Sequence, residues 1–330
     1  MSNIAISGFT IPLALFFSLL STIFYLINFI KNRKDNTSRY FYYLSFFSIS
    51  LSFFLLAYHF ISRDFRLSYV TAYSSSDLSF LYTLSAIWAG QEGSFLLWSF
   101  LSLLLGLFLI KYLKEDENLG MFLYNLQILG LLYLLLRQSP FILLQEIPAD
   151  GRGLNPLLLN PWMAIHPPFM FLGYAAYGIP FTYALLLLIK KNFQEFHSIT
   201  YRWVIFSWVS MGIGIILGGF WAYETLGWGG YWGWDPVENA SLVPWLLMTA
   251  LVHGLILQKK YKTFYKSNYL LATFSFIFVL YGTFLTRSGV LQDFSVHSFV
   301  DLGITGVLLI FMLSFLILSI AIFIVKFKNF

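Results

Sequence analysis

Between positions 221 and 245 the chain interleaves large flat side chains with glycine. Trp221, Trp228, Trp232, Trp234 and Trp245 are five of its ten tryptophans, separated by Gly227, Gly229, Gly230 and Gly233. Glycine lets backbones approach closely, and an indole offers a wide apolar face, so the run suits stacking against a large planar aromatic ligand. The competing reading is an aromatic belt at a membrane interface. Asp235 and Glu238 follow directly, and their carboxylates either receive loop N–H groups or touch the ligand edge. The histidines are the second chemical feature. His166 precedes Pro167-Pro168, which are expected to fix the entry turn of a helix, His253 sits in an apolar run, and His297 lies in a polar connection. A neutral imidazole is a good iron ligand. His59 and His197 match no motif.

The elements that must position these residues are membrane spans. The chain has 330 residues, 58% hydrophobic and 11% charged, where a soluble domain carries about a quarter charged residues. Hydropathy divides it into about nine apolar runs, near 9–30, 40–61, 94–111, 119–136, 167–189, 203–222, 241–257, 269–286 and 302–325. Each approaches the roughly 20 residues a helix needs to cross a bilayer. Helices are expected because a span must satisfy its own backbone in lipid. The fold class read here is therefore an all-α polytopic bundle forming a single membrane domain over 1–330, with residues 223–241 as a tryptophan-rich loop within it.

Basic residues set the expected orientation. Every lysine falls in connections on one side of the alternating spans, and the opposite side holds only Arg63, Arg66, Arg137, Arg152 and Arg287 of the 20 basic residues. The lysine-bearing side is read as cytoplasmic, which puts the N-terminus outside and the C-terminus inside. The first run is read as a retained span, since no basic residue precedes it. The net charge of +5 follows this topology and marks no nucleic-acid patch. The absence of cysteine excludes thiolate metal sites and cysteine catalysis within the chain, and no phosphate-binding G-x-x-x-x-G-K-[ST] loop is present. On this topology His166, His297 and the tryptophan run share the outer side, the arrangement an exposed haem needs; two ordinary interfacial histidines are the alternative. Arg287, the lone basic residue of its outer loop, suits a haem propionate, because a guanidinium matches carboxylate geometry, or it is simply a topology marker. His253 lies inside the seventh span near its cytoplasmic end, where an ionisable side chain suggests function.

The stretch Trp-Gly-Gly-Tyr-Trp-Gly-Trp-Asp-Pro-Val-Glu-Asn-Ala-Ser at 228–241 resembles the tryptophan-rich haem-handling signature of the CcmF, CcmC and CcsA family. Its Asp-Pro-Val-Glu-Asn-Ala-Ser ending before Pro244-Trp245 is most similar to the CcmF branch. So are Ala86–Trp98, Gly153–Leu158, Ile165–Pro168 and Gly282–Val290 before Val296-His297, which covers roughly residues 60–300. The resemblance implies a cytochrome c haem lyase component. His166 and His297 would be axial ligands of an outer haem flanking Trp228, Trp232 and Trp234. His253 would be one ligand of a separate membrane-embedded b-type haem. Implied partners are apocytochrome c with its Cys-x-x-Cys-His motif, a CcmE-like haem chaperone and a CcmH-like thiol-handling protein, in a bacterial-type inner membrane. Chains of that branch are about twice as long, and the second b-haem histidine belongs to the half not present here; a second polypeptide is expected to supply it, unless the sequence is a natural short form or a truncation. A haem transporter and a non-catalytic docking subunit remain the rival readings.

Overall fold

The apolar runs become helices, most of which start earlier than the runs, while α11 (Thr305–Lys326) starts three residues inside its own. The structure is a computed structural model that describes residues 2–295 and 298–326. In chain order its α-helices are α1 (Ser2–Ile30), α2 (Thr37–Ile61), the short α3 (Ser68–Tyr73) and α4 (Phe80–Ala86), α5 (Gln91–Leu113), α6 (Glu117–Arg137), α7 (Pro161–Ile189), α8 (Phe196–Thr225), α9 (Pro236–Tyr261), α10 (Tyr265–Arg287) and α11 (Thr305–Lys326). Eight segments are long and apolar enough to cross a membrane, and one of them, Gln91–Arg137, contains both α5 and α6. The chain folds back between these two, since the Tyr124 hydroxyl donates to the Ser102 carbonyl at 2.7 Å. Among the described residues, nine long helices thus match the nine expected spans in order, and the chain is a multi-pass membrane protein.

α7 and α9 start before their apolar runs because their first turns are polar and capped. Asn160 caps α7, its side chain accepting the Trp162 N–H at 2.8 Å, and Pro161 occupies the first turn, where its missing N–H costs nothing. His166 therefore stands inside α7 rather than at its mouth, and Pro167 and Pro168 are helical residues rather than its entry. Similarly, α9 starts at Pro236 within the tryptophan-rich motif, which shortens the true loop to 226–235.

α7 lies at the centre, with 83% of its apolar window buried by other helices, whereas the windows of α9 and α11 are 28% and 22% buried and face outward. Small residues let neighbours reach α7. A Cβ on Gly214 of α8 would stand 2.9 Å from the Met170 backbone nitrogen, and one on Gly173 would stand 2.9 Å from the Met211 Cα. In a medium as apolar as the side chains, such close packing and interhelical hydrogen bonds hold helices together. Gln127 of α6 donates to Gly178 O at 3.2 Å and Thr182 Oγ1 at 2.8 Å on α7, and the Tyr42 hydroxyl donates to Leu103 O at 2.8 Å.

The connections divide between two ends as the charge pattern requires. At the lysine-bearing end, Arg39 pairs with Glu117 and Lys190 with Asp116. At the opposite, loop-rich end, segments 62–90 and 138–160 are knitted together. Ser68 N donates to Ile142 O at 2.9 Å, Gly153 N to Ser74 O at 3.0 Å, and Arg152 N to Thr71 O at 2.7 Å. The Gly90 N–H donates to the buried Tyr69 hydroxyl at 3.0 Å, which sets the turn carrying Trp88 into α5.

Candidate functional site

At the loop-rich end, α7, α8, α9 and α10 border a half-open cavity of about 380 Å³, within the range of ligand sites. Its wall on α7 is a helical stripe of His166, Met170 and Tyr174 with Pro167 and Phe171 beside it. Residues four apart share a helix face. The facing wall on α8 is made of Gly214, Ile215, Gly218 and Gly219, ending at Trp221. A Cβ on Gly218 would approach His166 Nδ1 to 3.1 Å, so the glycine makes room for the imidazole. Trp88, Trp232, Glu238, Arg287 and Ser298 complete the lining from other elements.

His166 is held as well as placed. Glu224, in the last turn of α8, accepts Asn160 Nδ2 at 2.8 Å and Trp162 Nε1 at 2.9 Å, tying the start of α7 to the end of α8. The His166 ring lies nearly parallel to the Trp221 indole, with centroids 6.0 Å apart and planes 10° from parallel. Trp221 itself is fixed by donating to Leu157 O at 2.9 Å.

The tryptophan-rich loop splits in two. Trp232 lines the cavity, whereas Trp234 is 72% exposed and Trp228 packs its ring against Gly233. Gly227 and Gly229 take left-handed backbone with φ of 67° and 71°, and Trp234 does the same at 56°. The last is a costly conformation for a bulky residue. It is held by Asn239 Nδ2 donating to Trp234 O at 3.1 Å and by the cap that follows. Asp235 Oδ2 accepts the Val237 N–H at 2.9 Å, and Glu238 Oε2 accepts those of Gly233 and Asp235 at 2.9 and 3.1 Å, a capping box that starts α9. Asp235 also accepts the Ser295 hydroxyl at 2.8 Å, which ties this loop to the α10–α11 connection. Its carboxylate is spent on the fold, while Glu238 caps the helix and lines the cavity.

Arg287 proves to be the last residue of α10, 5% exposed. Its guanidinium carbon lies 4.4 Å from the Phe95 ring centroid, 5.1 Å from that of Phe299 and 5.8 Å from that of Phe171. Among the described residues its one hydrogen bond, to Gln91 O, is long at 3.5 Å, and it forms no ion pair. Tyr73 of α3, which lines the same cavity, has its phenol pushed up to about 12 by burial and the nearby Glu92 carboxylate, so it is a hydrogen-bond donor at any physiological pH.

His253 is far from this cavity, toward the lysine-bearing end of α9. It is exposed, with Nδ1 2.8 Å from Thr249 O. His297 lies outside the described residues. His59, which matched no motif, is buried at the loop-rich end, with Nε2 3.0 Å from Ser7 Oγ and Nδ1 2.9 Å from Asp64 Oδ2. The Arg66 guanidinium, followed by this histidine, holds the Asp64 carboxyl below its ordinary value.

Sequence reasoning passed over Trp88, Met170, Tyr174 and Phe299 as cavity walls. The i, i+4, i+8 spacing from His166 was a readable signal for the second and third, as was the Gly214/Gly218 spacing for the facing wall.

Comparison with known proteins places this geometry. The family described as cytochrome C assembly protein matches residues 88–291. The cytochrome c-type biogenesis protein ccl1 of Rhodobacter capsulatus is 40% identical over 273 residues, 81% of this chain and 42% of its own. CcmF of Escherichia coli is 38% identical over 297 residues, covering 87% of this chain and 45% of its own. A solved structure named cytochrome c heme lyase CcmF superposes with a TM-score of 0.82 at 28% identity, over 98% of this chain and 51% of that one. The chain spans about half the length of the relatives it matches and corresponds to the N-terminal part of CcmF.

Proposed function

The chain belongs to the cytochrome c assembly protein family, and on that premise we propose that it holds haem at the loop-rich end of the bundle for covalent attachment to apocytochrome c. One observation carries the reading: a half-buried imidazole and a buried guanidinium with no ion pair among the described residues line one cavity walled by indole and apolar side chains. Those donors fit haem, which offers an iron for His166, flat faces for Trp88, Trp221 and Trp232, and carboxylates for Arg287. His297, which lies outside the described residues, is proposed as the second histidine that would hold the iron. Among the described residues no cluster of three or more His, Asp or Glu side chains converges, so they build no protein-only metal centre.

In attachment, each substrate thiol adds across one haem vinyl group, the sulfur bonding one carbon and a proton reaching the other, with no net oxidation. The chain has no cysteine, so both thiols belong to the Cys-x-x-Cys-His motif of the apocytochrome. What the chain contributes is position. α7 and α8 fix His166, the aromatic walls exclude water, and Arg287 holds one edge of the ligand, so the reacting groups meet at high effective concentration. Trp228, Trp234 and Asp235 do not line the cavity, and we assign them to shaping the loop and its outer surface.

The loop-rich end is assigned to the periplasmic face of a bacterial-type inner membrane, with the N-terminus outside and the exposed apolar helix faces in lipid. His253 is proposed as one ligand of a membrane b-type haem whose other ligand lies outside this sequence. A CcmE-like chaperone would deliver haem and a CcmH-like protein would present the reduced thiols. The test is complementation of cells lacking the full-length relative, with this chain alone and with a polypeptide supplying the remaining half. A haem-stained c-type cytochrome that forms with both pieces and disappears in His166→Ala supports the reading. Attachment that is indifferent to His166→Ala contradicts it.

A further inference from the structure

Hydrogen-bond donors around the cavity outnumber the groups that satisfy them. Among the described residues the indole nitrogens of Trp88 and Trp232 and the hydroxyl of Ser298 are buried without a hydrogen-bond partner, and all three side chains line the cavity beside Arg287. A buried donor left unmatched costs about 1–3 kcal/mol, and the buried Arg287 guanidinium, although the Glu92 carboxylate acts on it from nearby, has no carboxylate within ion-pair distance among the described residues. An indole and a guanidinium can only donate, and a serine hydroxyl can donate as well as accept. Water could satisfy the indoles and the hydroxyl, but it brings no negative charge to the guanidinium. The aromatic rings of Phe95 and Phe299 around Arg287 favour a cation without neutralising it. The partner these groups lack is an anion with several acceptor oxygens.

We propose that Trp88, Trp232, Ser298 and Arg287 form a carboxylate-recognition site that grips the two propionates of haem, an inference that rests on the cavity being the haem site. Propionates occupy one edge of the macrocycle and vinyl groups the opposite edge. Anchoring the carboxylates among these donors therefore dictates which edge enters the cavity and turns the vinyl edge toward the incoming thiols. Trp232 then acts through its N–H as well as through its ring, and Trp88, from a different segment of the chain, is its counterpart. Specificity follows for a dicarboxylic porphyrin over one whose carboxyl groups are masked.

The test compares two probes on the detergent-solubilised full chain, haem and haem dimethyl ester, titrated by Soret absorbance. The wild type should bind the free acid about tenfold or more tightly than the diester, as charge-assisted bonds require. Arg287→Gln, and separately the double variant Trp88→Phe/Trp232→Phe, which keeps the rings and removes both N–H groups, should weaken the acid while leaving the diester within about twofold. Retained diester binding shows that each variant is folded. Equal wild-type affinity for both probes, or a parallel loss of both in the double variant, overturns the carboxylate site and leaves the haem reading standing. Failure of the wild type to bind either probe overturns both.

Discussion

The two ends of α9 carry aromatic and histidine chemistry in opposite settings. At its N-terminal end the motif is built into the bundle: the first turn is capped by Asp235, joined to the α10–α11 connection through Ser295, and set against α7, α8 and α10 around one half-open cavity. Toward its C-terminal end, His253 stands exposed on an open helix face, its ring nitrogen bonded back to its own helix at Thr249. A site whose walls come from many elements of one chain is organised before ligand arrives. A histidine on an open face is organised only once something packs against it. The difference teaches that one helix can border a cavity built from many elements at one end and present a histidine on an open face at the other, and that the two should respond differently to substitution and to a partner.

The largest effect that would break this comparison is expected at Gly218. Its Cβ position lies 3.1 Å from His166 Nδ1, so Gly218→Val drives a branched side chain into the imidazole's space. Haem affinity at the cavity should fall about tenfold or more by Soret titration, as expected when a ligand is displaced from a formed site, with helical circular dichroism retained. Unchanged affinity would mean that His166 is not the ligand.

Gly214→Val comes next. The new side chain meets Met170 down to its backbone nitrogen at 2.9 Å, which flexible side-chain movement cannot relieve. Overpacking of this kind costs about 1–3 kcal/mol and should lower the unfolding temperature in detergent, leaving any His253-dependent haem in the assembled pair less affected than the cavity. Asp235→Ala removes the cap of α9 and the Ser295 bond, a loss of about 1 kcal/mol from the cap, visible as lower thermal stability together with weaker haem binding. Asp235→Asn should recover part of both. The smallest effect belongs to Trp234→Ala. Its ring is 72% exposed and outside the cavity lining, so stability should move by less than about 0.5 kcal/mol and haem affinity by less than about twofold. A large loss there would return the outer face of the loop to the haem site.

The number and order of spans were legible because lipid reads apolar length directly, and the segregation of lysine to one side reappears as the pairing of loops at each end of the bundle. Helix starts were not legible from hydropathy. Asn160-Pro161 and Asp235-Pro236 begin α7 and α9 in polar sequence, a capping signal that an apolar window passes over. That is why His166 sits a full turn inside its helix. The cavity was legible in its types and only partly in its membership. Tryptophan and glycine announced a flat ligand, yet whether an indole faces the cavity is decided by backbone conformation, and the left-handed turn at Trp234 sends that ring outward while Trp232 turns in. Trp88 comes from a segment whose position depends on contacts with Tyr69 and the 138–160 connection, which no local pattern encodes. The burial of Arg287 depends likewise on Phe95 and Phe299 arriving from distant parts of the chain.

The central claim, that the half-open cavity is the haem site and His166 its ligand, is tested most directly by the visible spectrum of the purified chain supplied with haem, measured beside His166→Ala and His253→Ala. The account predicts a histidine-ligated haem spectrum that His166→Ala abolishes and His253→Ala leaves in place. A spectrum lost only in His253→Ala would contradict it, making the open face of α9 the haem site and the cavity a site for something else.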